Sequence, residues 1–251
     1  FENQGASSAR NYGVNKAASG LVVFLDADDV WKPIHLESLK GLYNSFPDCG
    51  MWATAYENVF DGKTITSNYH NIPKISNWSG IVHDFFESSS INCIASSSSV
   101  MISKKVFNEL GGFNPIYDSG EDIDLWIRIA LNHPVAFTSI ISVVINMTAD
   151  NQATKTSIHS RNHLDFDSFH TEETANPSLK KYLDLNRFSI AIQYKLEGNQ
   201  LMANEMIQKI DLKNLNRKQQ LLLKMNTIVL KKLVKFKDVL RKNGIGLSAF
   251  R

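Results

Sequence analysis

Leu21-Val22-Val23-Phe24-Leu25-Asp26-Ala27-Asp28-Asp29 is an apolar run, with β-branched Val22 and Val23, that ends in three carboxylates within four residues. A run of this length, entered through Gly20, reads as a buried strand. Burying charge is costly, so the acids must sit at the strand's mouth and find a compensating partner. In an open α/β sheet, that carboxyl-end mouth is where ligands bind. Asp26 and Asp28 flank a single residue, so a kinked turn can aim both carboxylates at one point. A divalent cation holding a phosphorylated ligand is the natural occupant, because hard cations take oxygen ligands. A plainer reading makes Asp29 the cap of a following helix, with Pro33 near its first position. One acid suffices for a cap, and three are present.

Around this stretch the pattern alternates between helices and strands. Residues 5–19 read as a helix closed by Gly20. After Pro33, the residues Ile34, Leu36, Leu39, Leu42 and Tyr43 keep a rough helical period. Met51–Phe60 reads as a strand turned by Asp61-Gly62 into a short partner, a hairpin signal. A short helix is expected over Ile81–Phe86, and a Ser-rich strand over Ile91–Ile102. A helix over Lys104–Leu110 is capped by Gly111-Gly112, and Val135–Met147 gives one or two further strands. From about Ser157 strand signals vanish, and helices are expected near 179–197, 200–210 and 216–242.

A hydrophobic content of 43% with 21% charged residues suits a globular protein with a substantial core. The net charge is only +2, yet residues 1–150 carry −7 and residues 151–251 carry +9. That asymmetry suggests two parts with different partners. Cys49 and Cys93 are the only cysteines, which excludes a disulfide scaffold and leads us to expect a reducing cytoplasmic setting. No apolar segment approaches the roughly 20 residues needed to span a bilayer. The chain opens on polar residues without Met, as expected of a piece beginning inside a longer protein.

A second acidic site lies at Glu121-Asp122, with Asp124 close behind. Carboxylates in a first helical turn face unpaired N–H groups and the positive end of the helix dipole. That is expected to keep them ionised near neutral pH, as a general base requires. Asp124 and Arg128, four apart, are expected to form a helix-surface pair worth a few tenths of a kcal/mol.

Four segments together carry a family resemblance. They are Asn3-Gln4-Gly5-Ala6-Ser7-Ser8-Ala9-Arg10-Asn11, Phe24-Leu25-Asp26-Ala27-Asp28-Asp29, Gly111-Gly112-Phe113 and Gly120-Glu121-Asp122-Ile123-Asp124-Leu125-Trp126-Ile127-Arg128. In order and spacing, this set resembles the family 2 glycosyltransferases of the GT-A fold, over roughly residues 1–155. The resemblance implies an α/β fold, a Rossmann-like mixed sheet flanked by helices that here lacks its first strands, while the pattern itself gives residues 156–251 as a helical C-terminal region. It also implies inverting transfer from a sugar nucleotide, usually a UDP-sugar, assisted by Mg²⁺ or Mn²⁺. Asp28 matches the carboxylate that contacts the metal, and Asp26 the one facing the ribose or metal. Arg10 matches a basic residue near the nucleotide, Asp122 the base, and Trp126 lies on the helix below the acceptor pocket.

The demands of the reaction agree with two acidic sites. Inverting displacement needs a base on the face opposite the leaving group, and the departing diphosphate needs its charge neutralised. Three departures stand beside the resemblance. Relatives begin with a strand, a helix and a second strand that form the nucleotide's base pocket. A chain without them is expected to bind nucleotide poorly. Where many relatives carry a histidine after the last core strand, this chain reads Asn146-Met147-Thr148-Ala149-Asp150-Asn151-Gln152. His159 and His163 are nearby, but lone histidines are usually surface residues. The region after 155 is not diagnostic of an acceptor.

In that region, Leu222, Met225, Val229, Leu233, Phe236 and Leu240 fall on one helical face, opposite Lys224, Lys231, Lys235 and Lys242. A basic amphipathic helix over 216–242 suggests peripheral contact with an anionic membrane, which suits a saccharide or lipid-linked acceptor. Without interleaved aromatics it does not suggest nucleic acid. Two other classes compete. A haloacid-dehalogenase-like phosphatase would use Asp26 as nucleophile and Asp28 as acid/base. Asp29-Val30-Trp31 fits that motif badly, and Arg10 and Glu121-Asp122 go unexplained. A membrane-surface or partner-binding module would leave the acidic sites as relics.

Overall fold

The computed structural model describes residues 4–60, 62–148, 157–242 and 249, with backbone only at 238, 241 and 242. Its centre is one mixed sheet of seven strands. Strand β1 (Leu21–Val23) lies at one edge, antiparallel to β6 (Val100–Ser103), which is antiparallel to β3 (Met51–Phe60). Beside β3 runs β7 (Val135–Asn146) in parallel, and β2 (Val30–Trp31) closes the other edge against β7. Two short strands complete it: β4 (Lys63–Thr66), the hairpin partner of β3, and β5 (Ser79–Ile81), which pairs with β7. Strands β1, β3 and β7 therefore point the same way, and their carboxyl ends share one edge.

Alternation along the strands builds two cores, as the two-residue period of a strand requires. Met51, Ala53 and Ala55 of β3, with Val100, Ile102, Val135 and Phe137, face the larger core. Trp52, Met101 and Ala136 face the other side, where Leu39 and Leu42 of helix α2 (His35–Ser45) cover them. Every residue from Met51 to Tyr56 is buried, the pattern of a strand covered on both faces. The larger core is covered by α1 (Gly5–Lys16), the short α3 (Phe85–Ser88), α4 (Lys104–Glu109) and α5 (Glu121–Asn132).

The remaining helices are α6 (His170–Ala175), α7 (Pro177–Glu197), α8 (Gln200–Gln208), α9 (Arg217–Lys224) and α10 (Thr227–Lys242). Leu179, Tyr182 and Leu183 of α7 belong to the same core as the sheet. Helix α7 has clear end signals. Asn176 accepts from the N–H groups of Ser178 and Leu179, Pro177 opens the first turn, and Gly198 ends it at φ 87°. Inside, Arg187 is buried against Glu173 at 2.7 Å and Asp184 at 3.2 Å.

Several local expectations are corrected. Asp29 caps no helix: β2 intervenes, and α2 starts at His35 with Ile34 in the cap position. Of residues 81–86, Ile81 ends β5, 82–84 form a connection, and Phe85 and Phe86 begin α3. The predicted strand over 91–102 shrinks to Val100–Ser103, because serine hydroxyls compete for the backbone before it. There, Ser96 and Ser99 close a reciprocal capping box on a 3₁₀ turn. The predicted helix 216–242 is broken at Met225-Asn226, where the Asn226 side chain accepts from the N–H of Val229 and starts a new helix. Leu222 therefore packs inward with the α7–α9 cluster instead of extending the α10 face.

Candidate functional site

The acidic stretch leaves β1 and turns at the carboxyl edge of the sheet. The N–H of Asp29 donates to the Asp26 carbonyl at 3.0 Å and closes the turn. One serine holds it in place. Ser98 Oγ accepts from the Asp26 N–H at 3.0 Å and donates to Asp29 Oδ2 at 2.6 Å. The backbone N–H of Asn146, at the end of β7, donates to Asp29 Oδ1 at 3.2 Å. Asp29 is thus committed to shaping the turn. Burial raises its pKa, the bonds from Ser98 and Asn146 oppose that, and the charges of Asp26 and Asp28 add to the rise.

Arg10, on α1, joins the two acidic sites. It donates to Asp26 Oδ1 at 2.6 Å and to Glu121 Oε1 at 3.0 Å, and its guanidinium lies over the Phe113 ring. Burial works against its charge, but Asp26 and then Glu121 outweigh this and hold it more firmly protonated. Beside it, Asn11 clamps the Gly-Gly-Phe turn, donating to the Phe113 carbonyl at 2.8 Å and accepting its N–H at 3.0 Å.

The second acidic site opens α5. Gly120 takes φ 83°, a left-handed conformation that favours glycine, and a Cβ there would press on Leu164 at 3.0 Å. That turn sets Glu121 and Asp122 at the helix's first positions. The Asp122 pKa is pushed up to about 6, first by burial and then by the neighbouring charge of Glu121. The Ile123 N–H and Arg10 oppose the rise without cancelling it. Burial therefore outweighs the dipole expected to keep this carboxyl low, yet above about pH 6 Asp122 is a carboxylate. Asp124 and Arg128 do pair, but Asp124 is buried, and Arg128 also donates to the carbonyls of Leu110 and Gly112. This pair anchors α5 to the Gly-Gly turn, a larger role than a surface pair.

Asp122 lines a cavity of about 330 Å³ together with Tyr56, Cys93, Trp126, Tyr182, Asn186 and several serines. Trp126 is 0% exposed and packs against Phe113, so it is a core residue that also lines this cavity. Its indole nitrogen finds no partner among the described residues. One wall of the cavity comes from α7, through Tyr182, Asn186 and Ser189. Cys93 Sγ lies 3.7 Å from Tyr182 Oη, and burial keeps its thiol protonated.

Arg10, Asp26, Glu121 and Asp122 are thus gathered into one cluster. Asp28 stands on the same turn, half-buried. Sequence reasoning missed Ser98 and the α7 wall. Serines before β6 looked like strand, and no motif marked Tyr182, Asn186 or Ser189. His159 lies 3.6 Å from Glu197, and His163 bonds the Ile158 carbonyl at 2.9 Å. Asn146 does reach the acidic turn, whereas Ala149-Asp150-Asn151-Gln152 lie outside the described residues.

As a cation site, the turn offers hard carboxylate oxygens from Asp26 and Asp28. Among the described residues no group of three or more His, Cys, Asp or Glu side chains is arranged to hold a metal. The donor set fits an open site, in which a cation takes most of its ligands from water and phosphate. It does not fit a closed structural one.

The fold can now be compared with known ones. S. aureus TarS superposes with a TM-score of 0.52 at 14% identity, covering 88% of this chain and 41% of that one. The class is that of the GT-A fold. The model of the family described as Glycosyltransferase like family 2 matches residues 2–170, and the chain belongs to that family. This membership displaces the phosphatase reading. An uncharacterized glycosyltransferase of Rickettsia felis is 24% identical over 170 residues, covering 63% of this chain and 26% of its own length. Another, from Nostoc sp., is 28% identical over 116 residues, covering 45% of this chain and 35% of its own. The chain spans between a quarter and about a third of the length of these curated relatives.

Proposed function

We propose that this chain transfers a sugar, with inversion, from a nucleoside diphosphate sugar of the UDP type to a hydroxyl of a saccharide or lipid-linked acceptor. The observation that carries the reading is Asp122, a carboxylate with a pKa of about 6 that lines a hydroxyl-rich cavity beside the Arg10–Asp26 pair. A base with this value is ionised at neutral pH yet basic enough to share a proton in a transition state.

In this reading the acceptor occupies the cavity, with its reactive hydroxyl on Asp122. As the hydroxyl oxygen bonds the anomeric carbon, its proton passes to Asp122. The bond from that carbon to the diphosphate breaks, and the diphosphate leaves with the electron pair. Arg10 holds Asp26 and Glu121 in place, and Ser98 holds the acidic turn against the sheet. Tyr182, Asn186 and Ser189 give the acceptor polar contacts from α7. Asp28 and Asp26 would hold Mg²⁺ or Mn²⁺, which supplies Lewis-acid neutralisation of the diphosphate when bound.

A panel of UDP- and GDP-sugars offered with and without Mn²⁺, with release of the nucleoside diphosphate as readout, tests this. Turnover with one donor, lost in Asp28→Ala and in Asp122→Asn, is the expected result. Metal-independent turnover unaffected by Asp28→Ala would remove the role given to that carboxylate.

A further inference from the structure

Helix α10 is held at its amino end. The Asn226 side chain accepts the Val229 N–H at 2.9 Å, Thr227 Oγ1 donates to the Lys195 carbonyl at 3.0 Å, and Leu230 is buried. Beyond Leu230, every residue from Lys231 to Lys237 is exposed. Phe236 is 58% exposed, and Val229 and Leu233 are exposed as well. With about 100° per residue, Val229, Leu233 and Phe236 share one face, and Lys232 and Lys237 border it on its two sides. Lys231 and Lys235 occupy the opposite side. Over the whole helix, six basic residues stand against the single acid Asp238.

Large exposed apolar side chains rimmed by charge mark an interaction surface. The signs of the charges decide the partner. A second copy would bring the same lysines against these, at a repulsive cost, whereas an anionic lipid surface is complementary to them. We propose that α10 lies in the surface of an anionic bilayer. Val229, Leu233 and Phe236 enter the headgroup–acyl boundary, and Lys232 and Lys237 reach up to lipid phosphates. This inference does not depend on the sugar-transfer reading. No described helix is long and apolar enough to cross a membrane.

The test is flotation of the whole chain with vesicles of equimolar phosphatidylglycerol and phosphatidylcholine, beside vesicles of phosphatidylcholine alone. Binding to the anionic vesicles only, weakened by salt, is the expected result. Lys232→Ala with Lys237→Ala should weaken partitioning about 25-fold, about fivefold per lysine, as about 1 kcal/mol per basic residue implies. Leu233→Ser with Phe236→Ser should abolish flotation with an unchanged circular dichroism spectrum, because both side chains are exposed. Failure to float with anionic vesicles would overturn the proposal, as would full flotation of the Leu233/Phe236 variant. A chain that sediments as a dimer, and as a monomer once Leu233 and Phe236 are replaced, would assign the face to a second copy instead.

Discussion

Replacing Asp122 by Asn should stabilise the chain at neutral pH. The carboxyl is raised from 3.8 to about 6, chiefly by burial. Because the folded value is the higher one, the native chain holds more protons than the unfolded chain between these limits, and stability falls as pH rises through them. Ionising the group in the fold therefore costs about 3 kcal/mol at pH values above both, at about 1.4 kcal/mol per pH unit. An amide of nearly the same shape does not ionise and can still accept the Ile123 N–H. Urea denaturation of parent and Asp122→Asn, from about pH 4 to about pH 7, reads this directly. The variant should match the parent at the acid end and exceed it by about 2–3 kcal/mol at pH 7. Equal stability at pH 7 would refute the reasoning, because a base poised by burial must carry that cost.

Ser98→Ala removes one neutral hydrogen bond and one to a carboxylate, and should cost about 3 kcal/mol in urea denaturation. It should also raise the Asp29 pKa further, since the Ser98 bond lowers it. Gly112→Ala places a Cβ at φ 68°, 2.7 Å from the Phe107 ring and 2.8 Å from Asn11 Oδ1. That oxygen already accepts the Phe113 N–H, so the neighbour cannot yield, and a loss of about 2–3 kcal/mol is expected by thermal denaturation. Arg187→Met leaves Glu173 and Asp184 buried, with Lys180 near both and His170 3.8 Å from Glu173, and should cost about 3 kcal/mol. Adding Glu173→Gln should recover part of it.

The fold was legible where pattern and punctuation agreed. The Met51–Phe60 hairpin, the helix stopped by Gly111-Gly112 and the helix expected near 179–197 are local signals that the structure keeps. The two acidic clusters were legible as three acids after an apolar strand and a pair opening a helix, although one of them, Asp29, serves to shape the turn. Their connection was less so. The tie from Arg10 to Asp26 and Glu121 spans 111 residues in sequence, and only the sheet brings these side chains together. Ser98 escaped because a serine preceding a strand has no periodicity to betray it. The break at Asn226 escaped because a capping asparagine inside an unbroken apolar period looks like an exposed polar residue. The cavity wall on α7 depends on how a distant helix docks on the core, which no local pattern encodes.

The most direct test of the account is the pH dependence of sugar transfer to acceptor. Transfer should rise through an acid limb with a midpoint near 6, the value for Asp122, and Asp122→Asn should abolish it while sugar-nucleotide binding persists. An acid limb in the ordinary carboxylate range, or transfer retained by Asp122→Asn, would contradict the assignment of Asp122 as the base.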